Sequence, residues 1–163
     1  MDLYCTRPNC PRPLNRCPDL DDTQVLKTVQ QKYCTACGMP LILDSRYLTL
    51  RLLGQGGFGA AFLACDRRMP NLRPCVIKQF QPPADFSPQQ LAIAQDLFER
   101  EGEVLAELGN NHPQIPDLYA FFPLTVSNSL TGTNQEFFYL AQEFVDGQDL
   151  EAELAQKGKF SEA

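Results

Sequence analysis

The sequence is short of positive charge and contains no long apolar segment. Its 163 residues include 14 lysines and arginines against 20 aspartates and glutamates, which gives a formal net charge of −6. This balance argues against nucleic acid as the main partner, because nucleic-acid-binding domains concentrate positive charge. No apolar run is long enough to span a bilayer, and the start Met1-Asp2-Leu3-Tyr4 lacks the basic and apolar regions of a secretion signal. We therefore expect no membrane segment within this chain.

Histidine is almost absent, and no internal repeat or low-complexity tract is evident. His112 is the only histidine, and Pro113 follows it. A general base needs positioned neighbours, and the sequence identifies none for His112. We therefore expect His112 to be a structural turn residue. Seven cysteines without a secretion signal suit a reducing compartment and predict a cytoplasmic protein. A hydrophobic content of 44% can fill the core of one domain, or of one domain plus a small module.

The most informative motif is a glycine-rich hexapeptide, Gly54-Gln55-Gly56-Gly57-Phe58-Gly59. Glycines in this pattern let backbone N–H groups approach a polyphosphate. A dinucleotide-binding turn would open a crossover helix, but the breaker Met69-Pro70-Asn71 follows too soon. A Walker A loop would end in Gly-Lys-Ser/Thr, whereas two alanines follow Gly59. The pattern instead predicts a hairpin, with strands over residues 47–53 and 60–65 and a third strand over 74–80.

This order resembles the start of a protein kinase domain. The third strand carries Cys75-Val76-Ile77-Lys78, and Lys78 matches the kinase lysine that holds the α- and β-phosphates. Ala61 and Val76 replace the valine and alanine most common in the family, which would reshape the surface above the adenine. The resemblance implies that residues 54–59, Val76 and Lys78 bind ATP.

A helix is expected after Ser87, which reads as an N-cap with Pro88 at N1 and Gln90 completing a capping box. Apolar residues then recur at helical spacing, and Glu101 lies on the same stripe. A carboxylate on a buried face needs a cation, although Glu101 could instead reach solvent from the helix edge. The resemblance implies that this helix is the kinase αC helix and that Glu101 pairs with Lys78. Both residues are candidate catalytic residues.

Two further strands are predicted over residues 118–126 and 137–143, with a polar hairpin loop at 127–136. The segment after residue 139 resembles the fifth strand and hinge of a kinase. That resemblance implies Gln142 at the gatekeeper position, adenine contacts from the backbones of Glu143 and Val145, and Asp149 near the ribose. Without the family, Asp149 reads as an acid at a helix N-terminus.

Four cysteines near the amino terminus have metal-ligand spacing: Cys5, Cys10, Cys34 and Cys37. Two pairs that each present sulfur from a tight turn suit a tetrahedral structural zinc site, and Gly38 lets the second turn fold back on the metal. Free or redox-responsive thiols are the alternative. Cys17 is a spare thiol or a substitute ligand. Cys65 and Cys75 lie in predicted strands and are expected to be buried.

The arrangement resembles the four-cysteine prefix that precedes serine/threonine kinases of the cyanobacterial type. It implies an α+β fold with a zinc-ribbon-like prefix at 1–44 and a kinase-like N-lobe at 45–147. The N-lobe would hold a five-stranded antiparallel sheet plus αC, and residues 148–163 would leave the hinge toward an absent C-lobe.

The implied function is ATP binding within a serine/threonine protein kinase. ATP with Mg²⁺ is the expected cofactor, zinc is the expected structural metal, and the missing C-lobe would bind the protein substrate. The 163 residues contain neither the catalytic-loop aspartate nor the metal-binding aspartate, so we expect no phosphotransfer by this chain alone. The alternative is a noncatalytic zinc-ribbon module that binds a nucleotide or a partner, from a truncated gene.

Overall fold

The computed structural model describes residues 1–57, 59–83, 85–127 and 132–145. Its strands are β1 Asp2–Tyr4, β2 Leu14–Arg16, β3 Ile42–Leu43, β4 Tyr47–Gln55, β5 Gly59–Asp66, β6 Arg73–Phe80, β7 Leu118–Ser127 and β8 Asn134–Glu143. Its α-helices are α1 Thr23–Thr28 and α2 Pro88–Leu108, with short 3₁₀ turns at Pro18–Asp21, Pro70–Leu72 and Gly109–Asn111. None of the helices in the described part of the chain is both long and apolar enough to cross a bilayer.

The main sheet has six strands in the order β3-β4-β5-β6-β8-β7, and every neighbouring pair is antiparallel. The predicted α+β class and antiparallel sheet are confirmed. The sheet has one strand more than the five expected, because β3 pairs with the start of β4. A strand of two residues is too short to show an alternating pattern, so the sequence analysis missed it.

Alternating side chains give the main sheet two different faces. In β6, Cys75, Ile77 and Gln79 are buried, while Val76 and Lys78 between them remain partly exposed. Successive residues of a strand point to opposite faces. In β6 one face is therefore covered, and the other carries Lys78 beneath α2. We call these the outer face and the cleft face.

The cysteine-containing prefix, residues 1–44, packs on the outer face. Tyr4 contacts Phe62 of β5 with ring centroids 5.9 Å apart, and the Thr49 hydroxyl donates to the Tyr4 carbonyl at 2.5 Å. Buried apolar residues from Leu3 to Ala141 form one cluster that includes both the prefix and the sheet. Prefix and sheet thus share a hydrophobic core, and the domain boundary proposed at residues 44 and 45 crosses that core.

Two arginines make polar contacts where the prefix meets the sheet, and one of them, Arg67, reaches into the prefix. Arg46 makes a bidentate ion pair with Asp66, whose side chain is fully buried. Arg67 is only 9% exposed, and its guanidinium donates to the carbonyls of Leu26 and Val29 at the end of α1. These bonds satisfy carbonyls that a helix end leaves without partners.

The long helix α2 begins as predicted. The Ser87 hydroxyl accepts from the Gln90 N–H at 3.2 Å, and the Gln90 side chain accepts from the Ser87 N–H at 2.9 Å. The helix covers little of the cleft face, however, and its only buried residues are Ala94 and Gly102. At Gly102 a Cβ atom would lie 2.8 Å from the Phe121 ring of β7, so the missing side chain permits this close approach.

Candidate functional site

A hollow on the cleft face brings the glycine-rich turn, β6 and α2 together. It has a volume of about 240 Å³ and is lined by Gly54, Gly56, Gly59, Lys78, Phe98 and Glu101, among others. The turn connects β4 to β5, and the Gly56 N–H donates to the Gly59 carbonyl at 2.8 Å. Residues that lie far apart in the sequence therefore meet at one concave surface, as the resemblance implies.

An ion pair crosses this hollow. Lys78 Nζ lies 2.5 Å from Glu101 Oε1, so the predicted pair is present. The expectation that Glu101 lies on a buried face is wrong, because its side chain is 43% exposed and that of Lys78 is 34% exposed. Helical periodicity indicates which side chains share a face, but not how much of that face another element covers. An exposed pair of this kind contributes little to stability.

The space available for a side chain differs among the glycines of the turn. A Cβ atom on Gly59 would lie 2.5 Å from the backbone oxygen of Gln79, across the β5–β6 pairing. Around the corresponding positions of Gly54, Gly56 and Gly57, no described atom lies within 4 Å. Gly59 is therefore required by strand packing, whereas the other three leave open space into which a ligand can come close. Phe58, which we also expected to contribute, lies outside the described residues.

Substitution of the two kinds of glycine is expected to have different effects on stability. Gly59→Ala will lower the free energy of unfolding by about 1–3 kcal/mol, because the new methyl group forces β5 away from β6. Gly57→Ala is the matched control and will change it by less than about 0.5 kcal/mol. Urea denaturation of both variants measures the difference. Equal stabilities would contradict the close packing at Gly59.

The predicted hinge residues lie at the end of β8 and just after it. Gln142 pairs with Val76 in the sheet, and its Oε1 atom is buried without a hydrogen-bond partner among the described residues. The Glu143 N–H donates to the Asp117 carbonyl at 2.8 Å, so this N–H already has a partner. Val145 is 65% exposed. The ribose candidate Asp149 and the expected exit helix lie outside the described residues, as do residues 128–131 of the predicted hairpin loop.

The four candidate ligand cysteines form a second site within the prefix. Their Sγ atoms all lie within 4.8 Å of one another, with Cys5 and Cys37 3.5 Å apart and Cys10 and Cys34 3.7 Å apart. Tetrahedral zinc with Zn–S bonds of 2.3 Å places its sulfurs about 3.8 Å apart. The cluster therefore has the size and donor set for a zinc ion.

Neighbouring groups orient these sulfurs. Asn15 Nδ2 donates to Cys34 Sγ at 3.5 Å, and the Asn15 carboxamide oxygen accepts from the Thr35 N–H at 3.0 Å. Burial alone would raise the pKa of Cys34, but hydrogen bonds from Asn15 and from the backbone lower it to about 6. Gly38 has φ of +76°, which lets the turn after Cys37 fold back. The sequence analysis missed Asn15, because a lone asparagine in a strand of three residues carries no distinctive pattern.

The remaining cysteines and the histidine have other environments. Cys17 is buried and donates weakly to the Asn15 carbonyl at 3.8 Å, outside the four-sulfur cluster. Burial raises the pKa of Cys65 to about 11 and that of Cys75 to about 12, as expected for thiols within a core. His112 Nδ1 accepts from the Gln114 N–H at 3.2 Å, a contact within the turn that follows α2.

Comparison with known proteins finds similar sequences among cyanobacterial serine/threonine kinases. The chain is 59% identical over its whole length to serine/threonine-protein kinase F of Synechocystis, and 41% identical over 159 residues to serine/threonine-protein kinase B of the same organism. The predicted resemblance to cyanobacterial serine/threonine kinases is confirmed. The chain spans only 33% and 24% of the length of these two kinases. No family model matches the chain.

Solved structures show the same kinase fold. The crystal structure of Rad53 1-466 in complex with AMP-PNP matches 72% of this chain and 26% of its own, with a TM-score of 0.52 and 27% identity. The apo form of PpkA-294 matches 69% of this chain and 40% of its own, with a TM-score of 0.50 and 21% identity, a likeness that concerns the fold alone. The chain thus combines a kinase-like N-lobe with a four-cysteine prefix.

Proposed function

We propose that this chain forms the ATP-binding part of a serine/threonine protein kinase. The observation that carries the proposal is the ion pair between Lys78 and Glu101 beside an open glycine-rich turn. In the kinase mechanism this lysine holds the α- and β-phosphates, and the glutamate keeps the lysine in place. The 163 residues contain no catalytic-loop or metal-binding aspartate, so transfer to a protein substrate needs residues outside this sequence.

Individual residues have distinct roles in this proposal. Backbone N–H groups of the turn at residues 54–59 would cradle the phosphates, and Mg²⁺ would neutralise them in the complete kinase. Val76 lies on the same face of β6 as Lys78 and would contact the adenine. Gln142, Glu143 and Val145 would line the adenine edge, and Asp149 would meet the ribose.

The prefix would hold a structural zinc ion in this protein. Cys5, Cys10, Cys34 and Cys37 would be its ligands, as their mutual distances support. Asn15 would keep Cys34 in place from outside the coordination sphere, as such partners commonly do. Reduced thiols are required for this role, which agrees with function in the cytoplasm.

Replacement of Lys78 by methionine tests the nucleotide site. Lys78→Met is expected to weaken binding of Mg²⁺-ATP by about tenfold or more, because a charge-assisted contact to phosphate is lost. Lys27→Met is the matched control, since Lys27 is exposed on α1, far along the chain from the hollow. Isothermal titration calorimetry on the chain measures both. Unchanged affinity in Lys78→Met, with binding in the wild type, would contradict the proposal.

A further inference from the structure

A chain of hydrogen bonds runs through the main sheet from the prefix to the glycine-rich turn. The Thr6 and Tyr139 hydroxyls share a hydrogen bond of 2.7 Å, and Gln79 Nε2 donates to the Tyr139 oxygen at 2.9 Å. Gln81 then donates to Gln79 Oε1, and Gln55 donates to Gln81 Oε1 at 2.9 Å. We call these five residues the polar relay.

The inner part of the polar relay is buried among apolar side chains. Thr6 is 2% exposed, and Gln79 and Tyr139 are fully buried. Polar groups in such surroundings are costly unless each has a partner, and here the three satisfy one another. Apolar residues could fill such a core at a lower cost in free energy. What the hydrogen-bond network adds is a restriction on the conformations that the neighbouring strands can adopt.

The outer end of the polar relay lies in the candidate phosphate-binding turn. Gln55 is the last residue of β4 and stands between Gly54 and Gly56, where glycines add little intrinsic rigidity. Its side chain is held by Gln81, which follows the last residue of β6. On the other side, Thr6 directly follows the cluster cysteine Cys5. The relay therefore joins the prefix to the turn across the sheet.

We propose that Tyr139 is a positioning residue for the glycine-rich turn. Its hydroxyl orients the Gln79 carboxamide, which presents Oε1 to Gln81 and so fixes the side chain of Gln55. The prefix contributes Thr6 to the same network and thereby helps to set where the turn lies. The link to nucleotide affinity rests on the proposed function, whereas the effect on the turn itself does not.

The chain provides a matched control for removal of this hydroxyl. Tyr47 and Tyr139 are both fully buried, and both rings stack on the ring of Phe122, with centroids 5.9 Å and 5.4 Å away. The Tyr47 hydroxyl has no hydrogen-bond partner among the described residues, whereas the Tyr139 hydroxyl has two. Tyr→Phe removes one oxygen in each case, but only Tyr139→Phe interrupts the relay.

Hydrogen exchange of the turn, measured without nucleotide, is the first test. Amides of residues 54–59 are expected to exchange about fivefold faster in Tyr139→Phe than in the wild type, because one lost partner in a buried network is worth a factor of this size. Tyr47→Phe should leave them unchanged. Equal exchange in the two variants overturns the proposal, and so does an equal acceleration throughout α2, which would show a merely structural role.

A variant in the prefix tests the other end of the polar relay. Thr6→Val keeps the side-chain shape and removes the hydroxyl. Like Tyr139→Phe, it should accelerate amide exchange of residues 54–59. The double variant Thr6→Val/Tyr139→Phe should be no faster than Tyr139→Phe alone, because both changes interrupt one network. Fully multiplicative effects would show that the two hydroxyls act independently and would overturn the relay.

Nucleotide affinity separates this proposal from the proposed function. Tyr139→Phe is expected to weaken binding of Mg²⁺-ATP by about three- to tenfold relative to Tyr47→Phe, because a less restrained turn must be ordered on binding. If wild-type protein binds no ATP while exchange of the turn responds to Tyr139→Phe, the nucleotide function fails and the relay stands. If ATP binds equally well to both variants, Tyr139 does not position the turn for nucleotide.

Discussion

Wild-type protein and the Cys17→Ser variant are expected to bind about one equivalent of zinc, and Cys34→Ser less than about half an equivalent. Cys34 belongs to the four-sulfur cluster, whereas Cys17 is a buried thiol outside it. Serine at either position tests the same chemical change at a cysteine of similar burial. Metal analysis after expression with zinc gives the result. Equal zinc content in Cys17→Ser and Cys34→Ser would contradict the assigned ligand set.

Loss of the metal is also expected to destabilise the sheet and not the prefix alone. Structural zinc contributes about 10 kcal/mol or more to the folding of small zinc domains, and here the prefix shares one core with β4, β5, β6 and β8. A strong chelator should therefore lower the midpoint of a single thermal transition. The same chelator should have a much smaller effect on Cys34→Ser, which is expected to bind less zinc. A sheet that unfolds at an unchanged midpoint would show that the prefix folds separately.

Replacement of the buried Asp66 is expected to cost about 3–5 kcal/mol of folding free energy. Asp66 accepts three hydrogen bonds from Arg46 and one from the Arg68 N–H, and Arg73 lies 3.8 Å away. Asp66→Asn keeps the shape but leaves Arg46 without a counter-charge in a largely enclosed site.

An exposed aspartate provides the control for Asp66. Asp96 pairs with Arg100 one turn along α2, and both side chains are more than half exposed. Asp96→Asn removes the same charge, yet exposed pairs within a helix are worth only about 0.3–0.5 kcal/mol. Urea denaturation of the two variants compares them. Similar midpoints would show that burial adds nothing to the Asp66 contacts.

The pH dependence of stability gives Asp66 a second signature. Burial alone would raise the pKa of Asp66, but the hydrogen bonds from Arg46 and Arg68 outweigh it and lower the pKa below its usual value. The carboxylate therefore contributes fully above the pKa of unfolded aspartate, about 3.9, and its contribution is lost as pH falls through the lower folded value. Stability of Asp66→Asn should decrease less over this acid range than that of the wild type.

Local patterns explain why much of the fold and of the candidate site was predictable. The capping box at Ser87 and Gln90 is a short-range device, and it marks the helix start correctly. The glycine-rich turn and Lys78 lie on consecutive hairpin strands, so their meeting follows from antiparallel pairing. The two cysteine pairs are recognisable from spacing, and the fold brings their sulfurs together.

Contacts between distant segments explain what the sequence analysis missed. Thr6 and Tyr139 are 133 positions apart, and neither belongs to a motif that would pair them. Asp66 ends a strand and looks like an ordinary turn residue until Arg46 is placed beside it. The exposure of Glu101 depends on how closely α2 approaches the sheet. The periodicity of apolar side chains does not predict this distance.

Lys78 and Gln79 are consecutive residues of β6 and lie on opposite faces of the sheet. The register of β6 is therefore sensitive to insertion or deletion. A slip of one residue along its neighbours would turn the ammonium group toward Tyr139 and the prefix, and it would leave an amide over the hollow on the cleft face. Such an error would remove the cation from the hollow and bury an unpaired charge at once. A single-residue deletion in the turn between β5 and β6 therefore threatens folding and ligand recognition together.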